Sequence, residues 1–415
     1  MKKTFFLLKS IFLCVLIVLL LNAPALKERF QNGTETKSER LKEQAIEAHT
    51  IEERVILLQK ESDDDVEQQE DEKLLLQKAQ ADSYAYQMLS EKEQEVYIEI
   101  LWALLEFQDN VKLSTIDPEE ITYVFQCVLN DHPEIFYVDG YTYTQYELGD
   151  MLKKITFTGN YKIGRDEVVE RQVQIDEYVD KCLSGLSADA DEYETVKYIY
   201  EYLIDHTEYD ALVEDNQNIC SVFLNGRSVC QGYAKATQYL LKQAGIRSTL
   251  VLGNVSGGEG HAWNMVQIDG EWYFVDTTWG DASYQAVGGQ DSYPKKAMPT
   301  INYDYLCVTT KQLCTTHEIE NIVELPECTS MENNYYVREG LYLTTLDKEQ
   351  LERIFQNGYE KGSAYITLKC SSEQLYKQLQ EMLITEQNIF YYLDCPDGVV
   401  SYTDSEEQYS MSFWL

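Results

Sequence analysis

Ser228–Ile246 read SVCQGYAKATQYLLKQAGI, Gly260–Gly270 read GHAWNMVQIDG, and Glu271–Asp281 read EWYFVDTTWGD. After Cys230 the packable residues Tyr233, Thr237, Leu240, Leu241 and Ala244 recur at the spacing of one helical face. Gly245 then supplies a left-handed C-terminal cap. The spacing predicts a helix with Cys230 in or next to its first turn. Unpaired first-turn amides and the positive end of the helix dipole favour a thiolate there. The same amides can hold an oxyanion.

The other two segments predict a hairpin. Asp269-Gly270 between two apolar runs is a strong two-residue turn signal. With that turn, Ile268 faces Glu271, Trp263 faces Asp276 and His261 faces Thr278. His261, Trp263, Asp276 and Thr278 then share one face, while Ala262, Asn264, Val266 and Ile268 point to the other. His261 and Asp276 become diagonal neighbours about 7–8 Å apart along the backbone, a gap side chains can bridge. Taken singly, a cysteine is a small buried hydrophobe and a strand histidine is structural. A helix-start cysteine with a histidine and an aspartate on one hairpin face is instead the order of a thiol nucleophile, its base and the acid that orients the base. Gly257, Gly258 and Gly260 predict a loop beside His261 that brings backbone or substrate close.

These residues resemble the transglutaminase-like superfamily, in its bacterial exported branch, through NGRSVCQGYAKA, GHAWNMVQIDGEWYFVDTTWGD and, upstream, KYIYEYLIDHTEYD. The resemblance covers residues 190–330. It implies a papain-like α+β fold. It also implies Cys230 as nucleophile, His261 as general base and acid, and Asp276 as the residue that orients the imidazole. Trp263 and Trp279 match aromatic positions that frame the site on its substrate side, and Gln231 and Asn225 are candidates for a second oxyanion donor. No acidic cluster resembles the calcium sites of the animal crosslinking enzymes, so neither calcium nor any other metal or cofactor is expected.

The chain has 415 residues and a net charge of −37, from 71 acidic against 34 basic side chains. That length accommodates several domains. The charge argues against nucleic acid or an anionic membrane surface as partners. Lys2, Lys3 and Lys9, the apolar run Ile11–Leu21 and Ala23-Pro24-Ala25 read as an export signal, either cleaved or kept as an anchor. Either case predicts an extracellular or cell-surface location, with membrane contact through the N-terminal segment alone. Protein or peptide substrates, with cell-wall or surface proteins among the candidates, are the expected partners.

Residues 1–25 thus read as signal or anchor, and residues 26–82 as an acidic disordered or helical stalk. Residues 83–185 read as an α+β accessory domain, residues 186–331 as the transglutaminase-like catalytic domain and residues 332–415 as a small α+β domain. Ser90 with Glu93 forms a capping box, and Asp117-Pro118 starts a second helix. Ile135–Val138, Tyr141–Tyr146, Lys154–Tyr161, Tyr303–Val308, Tyr335–Leu343, Ser363–Leu368, Phe390–Leu393 and Tyr409–Leu415 read as strands, and Asp347–Glu360 and Glu373–Leu383 as helices. His132 and His206 read as structural.

Ten cysteines show no compact disulfide framework. Cys307, Cys314, His317 and Cys328 lack the paired spacing of a structural zinc site. Buried thiols are expected for the cysteines beyond Cys14 and Cys230, with disulfides permitted by export. The function expected is therefore a thiol enzyme that acts on protein or peptide amides through a thioester, as a peptidase, amidase or amine transferase. The alternative is a non-catalytic surface binding or scaffolding protein with a vestigial triad.

Overall fold

The computed structural model describes residues 69–149, 151–281, 300–394 and 398–415. The signal or anchor, most of the stalk, Cys14, Cys395 and residues 282–299 lie outside these. Chain contacts divide the protein into Met1–Asp82 and Ser83–Leu415. In the first unit residues 69–79 are helical. No helix among the described residues is long and apolar enough to cross a membrane.

The second unit opens with α1 (Tyr84–Met88), α2 (Glu91–Leu105), β1 (Val111–Lys112), α3 (Pro118–Asp131), β2 (Val138–Leu148) and β3 (Met151–Tyr161). The capping box at Ser90 and Glu93 is present on α2, and Asp117 caps α3 with Pro118 in its first turn. Strands order β1-β3-β2 in a small antiparallel sheet. Ile135–Val138 forms no strand before Val138; the Ile135 N–H closes a turn on the His132 carbonyl instead, at 3.0 Å. His132 is the C-cap of α3, and its Nδ1 lies 2.9 Å from Glu134 Oε1.

α4 (Arg165–Leu183), α5 (Glu192–His206), β4 (Glu208–Tyr209), α6 (Ile219–Asn225) and β5 (Arg227–Ser228) lead to α7 (Cys230–Gln243). Next come β6 (Ser248–Val255), β7 (Glu259–Ile268), β8 (Glu271–Val275) and the short helix α8 (Thr277–Gly280). A 3₁₀ turn at Tyr303–Tyr305, β9 (Leu306–Val308), α9 (Thr310–Leu313) and β10 (His317–Ile319) complete this part. The strands form a five-stranded antiparallel sheet, ordered β10-β6-β7-β8-β9.

α7 packs on this sheet through Ala234, which meets Leu250 and Ala262. It is buried more widely than one face: Ala236 and Gln238 are enclosed as well as Tyr233, Thr237, Leu240 and Leu241. Burying its polar groups is offset by hydrogen bonds. Asn264 Nδ2 donates to the Ala234 carbonyl at 3.0 Å, and Gln238 Nε2 donates to the Asn130 carbonyl at 2.8 Å. The helix ends in a Schellman motif: Gly245 adopts φ 79°, and the Ile246 N–H reaches the Leu241 carbonyl at 2.9 Å.

The last segment carries α10 (Tyr335–Arg338), β11 (Tyr342–Leu343), α11 (Lys348–Lys361), β12 (Tyr365–Cys370), α12 (Glu373–Gln380), β13 (Tyr402–Ser405) and β14 (Ser410–Trp414). Its four-stranded sheet is ordered β11-β12-β14-β13, with β11 and β12 parallel. Leu351, Phe355, Leu375 and Leu379 bury against Leu368, Met411 and Phe413. Two expected strands are corrected here. Tyr335–Leu343 breaks into α10 and β11, because Asn334 caps a helix and Gly340, at φ 72°, reverses the chain. Phe390 and Tyr391 end a 3₁₀ turn, Asn388–Tyr391, and Tyr392 and Leu393 follow it without forming a strand; their apolar side chains had mimicked one.

Candidate functional site

The upstream stretch KYIYEYLIDHTEYD positions Cys230 through β4. This strand pairs in parallel with β5, Glu208 opposite Arg227 and Tyr209 opposite Ser228. The Asp210 N–H extends the ladder to the Ser228 carbonyl at 2.9 Å. Two residues later Cys230 opens α7, with Val229 as the N-cap. The Tyr233 N–H closes the first helical bond on the Val229 carbonyl, so the amides of Cys230, Gln231 and Gly232 have no acceptor within the helix. Gly232 is required by close packing. A Cβ there would overlap Ser228 Oγ and press on the Asn216 carbonyl and Ser221 Oγ.

The hairpin has the two-residue turn. Asp269 and Gly270 both take positive φ, 52° and 84°, and the ladder runs from Ile268–Glu271 to Asn264–Val275. It stops one pair short of Trp263–Asp276. His261 does not face Thr278; it pairs with Gly253 of β6. The chain leaves the sheet because Asp276 caps α8, its Oδ1 accepting from the amides of Thr278 at 2.9 Å and Trp279 at 3.0 Å.

Asp276 Oδ2 faces His261 Nε2 at 2.7 Å, and the Cys230 thiol lies near enough to act on the same imidazole. With Nε2 engaged by the carboxylate, Nδ1 is the ring atom left for sulfur. The three expected residues are therefore brought together. Asp276 is completely buried, the His261 side chain nearly so, and Cys230 half-buried. Burial alone would push the His261 imidazole down. The charge and hydrogen bond of Asp276, and then of Cys230, outweigh it and raise the imidazole to about 10. Burial would push the Asp276 carboxyl up, but His261 and His317 hold it well below the usual carboxylate range.

The remaining expected residues are placed less uniformly. Trp263 is completely buried with its ring stacked 5.7 Å from His261, so it forms the wall behind the imidazole and offers no surface to a substrate. Trp279 is half-buried, 6.1 Å from the His261 ring and 5.1 Å from Tyr305. Gln231 is the second residue of α7 and half-buried. Asn225 ends α6 and lines a surface depression with His206, Arg227 and Asp281, on which neither Cys230 nor His261 opens. A Cβ at Gly257, Gly258 or Gly260 would meet no other atom.

Sequence reasoning missed His317 as a member of the site. Its Nε2 lies 3.0 Å from Asp276 Oδ2 and its Nδ1 2.8 Å from Thr316 Oγ1. Ligand atoms of His261, Asp276 and His317 fall within 4.8 Å of one another. The 2.7 and 3.0 Å separations to a single carboxylate oxygen are hydrogen-bond lengths. The described cysteines are all free, and Cys307, Cys314 and Cys328 gather no histidine, since His317 turns to Asp276. Burial pushes Cys127 and Cys182 up to about 12, leaving those thiols inert.

A helix-start cysteine, a strand histidine and a capped aspartate thus meet on an α+β core. The match to the Transglutaminase-like superfamily runs over residues 180–277, and the chain carries a domain of that superfamily. Among curated proteins it is similar to the human kyphoscoliosis peptidase, 29% identical over 138 residues, covering 29% of this chain and 21% of that protein. The mouse kyphoscoliosis peptidase is 29% identical over 126 residues, covering 26% of this chain and 19% of that protein. The match thus spans about a fifth of the length of these relatives. A crystallised TGase superposes with a TM-score of 0.27 at 16% identity, covering 39% of this chain and 50% of that one.

Proposed function

We propose that this protein is an exported thiol enzyme that acts on protein or peptide amides through a thioester on Cys230. The observation that carries the reading is that one imidazole, His261, is held by the Asp276 carboxylate at 2.7 Å and is raised by that carboxylate and by the neighbouring Cys230 thiol. Cys230 gives its proton to His261 and attacks the amide carbonyl carbon. A C–S bond forms, and the first-turn amides of α7 face the developing oxyanion. As the C–N bond breaks, the His261 imidazolium protonates the leaving ammonia or amine. Water or a primary amine then attacks the thioester, His261 takes its proton, and the thiol is regenerated. Water makes the protein a peptidase or amidase, whereas an amine makes it a crosslinking transferase.

In this reading residues 186–331 are the catalytic domain, residues 83–185 and 332–415 flank it, and the N-terminal segment directs the chain out of the cytoplasm, cleaved or retained as an anchor. Partners are then extracellular or cell-surface proteins and peptides. Incubation of the full chain with casein and a labelled primary amine tests the activity. Label incorporation identifies a transferase, fragment release a peptidase, and ammonia without either a deamidase. Each should vanish in Cys230→Ala. Activity that survives Cys230→Ala would contradict the proposal, as would none of the three products.

A further inference from the structure

We infer that His317 is a positioning residue for His261, acting through the carboxylate they share; the inference rests on the thiol-enzyme reading above. β10 lies at the edge of the sheet next to β6, and β6 lies next to β7, so His317 and His261 approach Asp276 from two strands with one between them. The His317 side chain is completely buried. Rings enclose it on several sides: Trp279 at 4.8 Å, Trp263 at 5.0 Å, His261 at 5.4 Å and Tyr305 at 5.6 Å. The titratable groups that face it are Asp276, His261 and Tyr305, with Cys230 beyond His261.

A carboxylate has about four acceptor positions, and at Asp276 each is used. Oδ1 takes the Thr278 and Trp279 amides, and Oδ2 takes His261 and His317. The carboxylate can neither turn about its axis nor present its other oxygen to His261. Nε2 of His317 donates to Asp276, and its Nδ1 is tied to Thr316 Oγ1 at 2.8 Å. Both ring nitrogens are thus engaged, which fixes the orientation of the ring with an N–H on the Asp276 side. His317 makes no contact with the reacting sulfur. Its lever on the chemistry is the one oxygen that orients His261.

The test is the pH profile of Cys230 alkylation by iodoacetamide, read by peptide mass mapping on the full chain, with thermal melts as the control for folding. His317→Leu removes the donor at similar volume. It should slow Cys230 alkylation at neutral pH on the order of tenfold to a hundredfold, the size of one hydrogen bond to a charged group, and move the profile toward that of an ordinary thiol. His317→Gln carries an amide N–H near the former Nε2 and should restore the profile to within a few-fold of wild type. Thr316→Val leaves the ring but removes the group that anchors its Nδ1, and should move the profile in the direction of the Leu variant even if that variant does not fold.

An unchanged profile in folded His317→Leu, or in Thr316→Val, overturns the inference. So does a folded Gln variant no better than Leu. A wild-type Cys230 that alkylates like an ordinary thiol overturns the thiol-enzyme reading itself, whereas a reactive wild type with indifferent variants overturns the His317 role alone.

Discussion

His261 Nε2 and Asp276 Oδ2 lie 2.7 Å apart although 15 positions separate them in the chain. A two-residue turn sets the register of β7 against β8, and the helix cap at α8 then aims the carboxylate back at the ring. Strand pairing supplies the approach and the cap supplies the orientation.

Asp276→Asn should keep the Thr278 and Trp279 cap through its amide oxygen but place an N–H₂ group against His261 Nε2. The ring then loses the acceptor that holds its proton on Nε2. Turnover in the casein and amine assay should fall on the order of 10³- to 10⁴-fold, with a melting temperature within several degrees of wild type. Full activity in a folded variant would remove Asp276 from the mechanism.

The elevated His261 imidazole also sets a pH window. Its ordinary value is 6.5 and it is raised to about 10, so protonation favours the folded state. That contribution is complete below about pH 6.5 and is lost as pH rises through about 10. The Asp276 carboxyl, held low, contributes above its ordinary 3.8 and so is fully charged across this range. The difference in melting temperature between wild type and His261→Gln should be largest near pH 6 and shrink toward pH 10.5. A difference that stays constant over that range would show that the pair does not carry the imidazolium.

Two glycines are fixed by space, not by turn geometry. At Gly232 a methyl group would overlap Ser228 Oγ, and at Gly280 it would overlap the Tyr200 hydroxyl, which donates to the Asn302 carbonyl at 2.6 Å. Gly232→Ala and Gly280→Ala should each destabilise by about 1–3 kcal/mol, the usual cost of overpacking. Gly270 has open space around it but φ 84°. Gly270→Ala should cost about 1 kcal/mol through backbone strain alone. Denaturant midpoints separate the cases: equal stability of Gly232→Ala and wild type would mean that the start of α7 is loosely packed.

The parts of this site that were legible in the sequence are those encoded locally. Asp269-Gly270 specified a turn, the turn specified the register, and the step from Cys230 to Gly245 specified where α7 begins and ends. The N-cap at Asp276 was not legible, because the apolar run before it extends the strand pattern through that residue. His317 was not legible, because it reaches Asp276 across 41 positions and from a three-residue edge strand too short to show alternation. Tyr335–Leu343 misled for the converse reason: tyrosines and leucines fit either a strand or a buried helix, and Asn334 and Gly340 decide between them.

The most direct measurement of the central claim compares two thiols in one sample. Cys230 is half-buried beside the His261 imidazole, while Cys314 is exposed and partial burial holds its thiol above the ordinary value. Wild-type protein is treated with iodoacetamide at pH 6 and alkylation at each cysteine is followed by peptide mass mapping. The account predicts that Cys230 is modified at least about tenfold faster than Cys314, and that His261→Ala abolishes the advantage. A Cys230 that reacts no faster than Cys314, or that keeps its rate without His261, would contradict it.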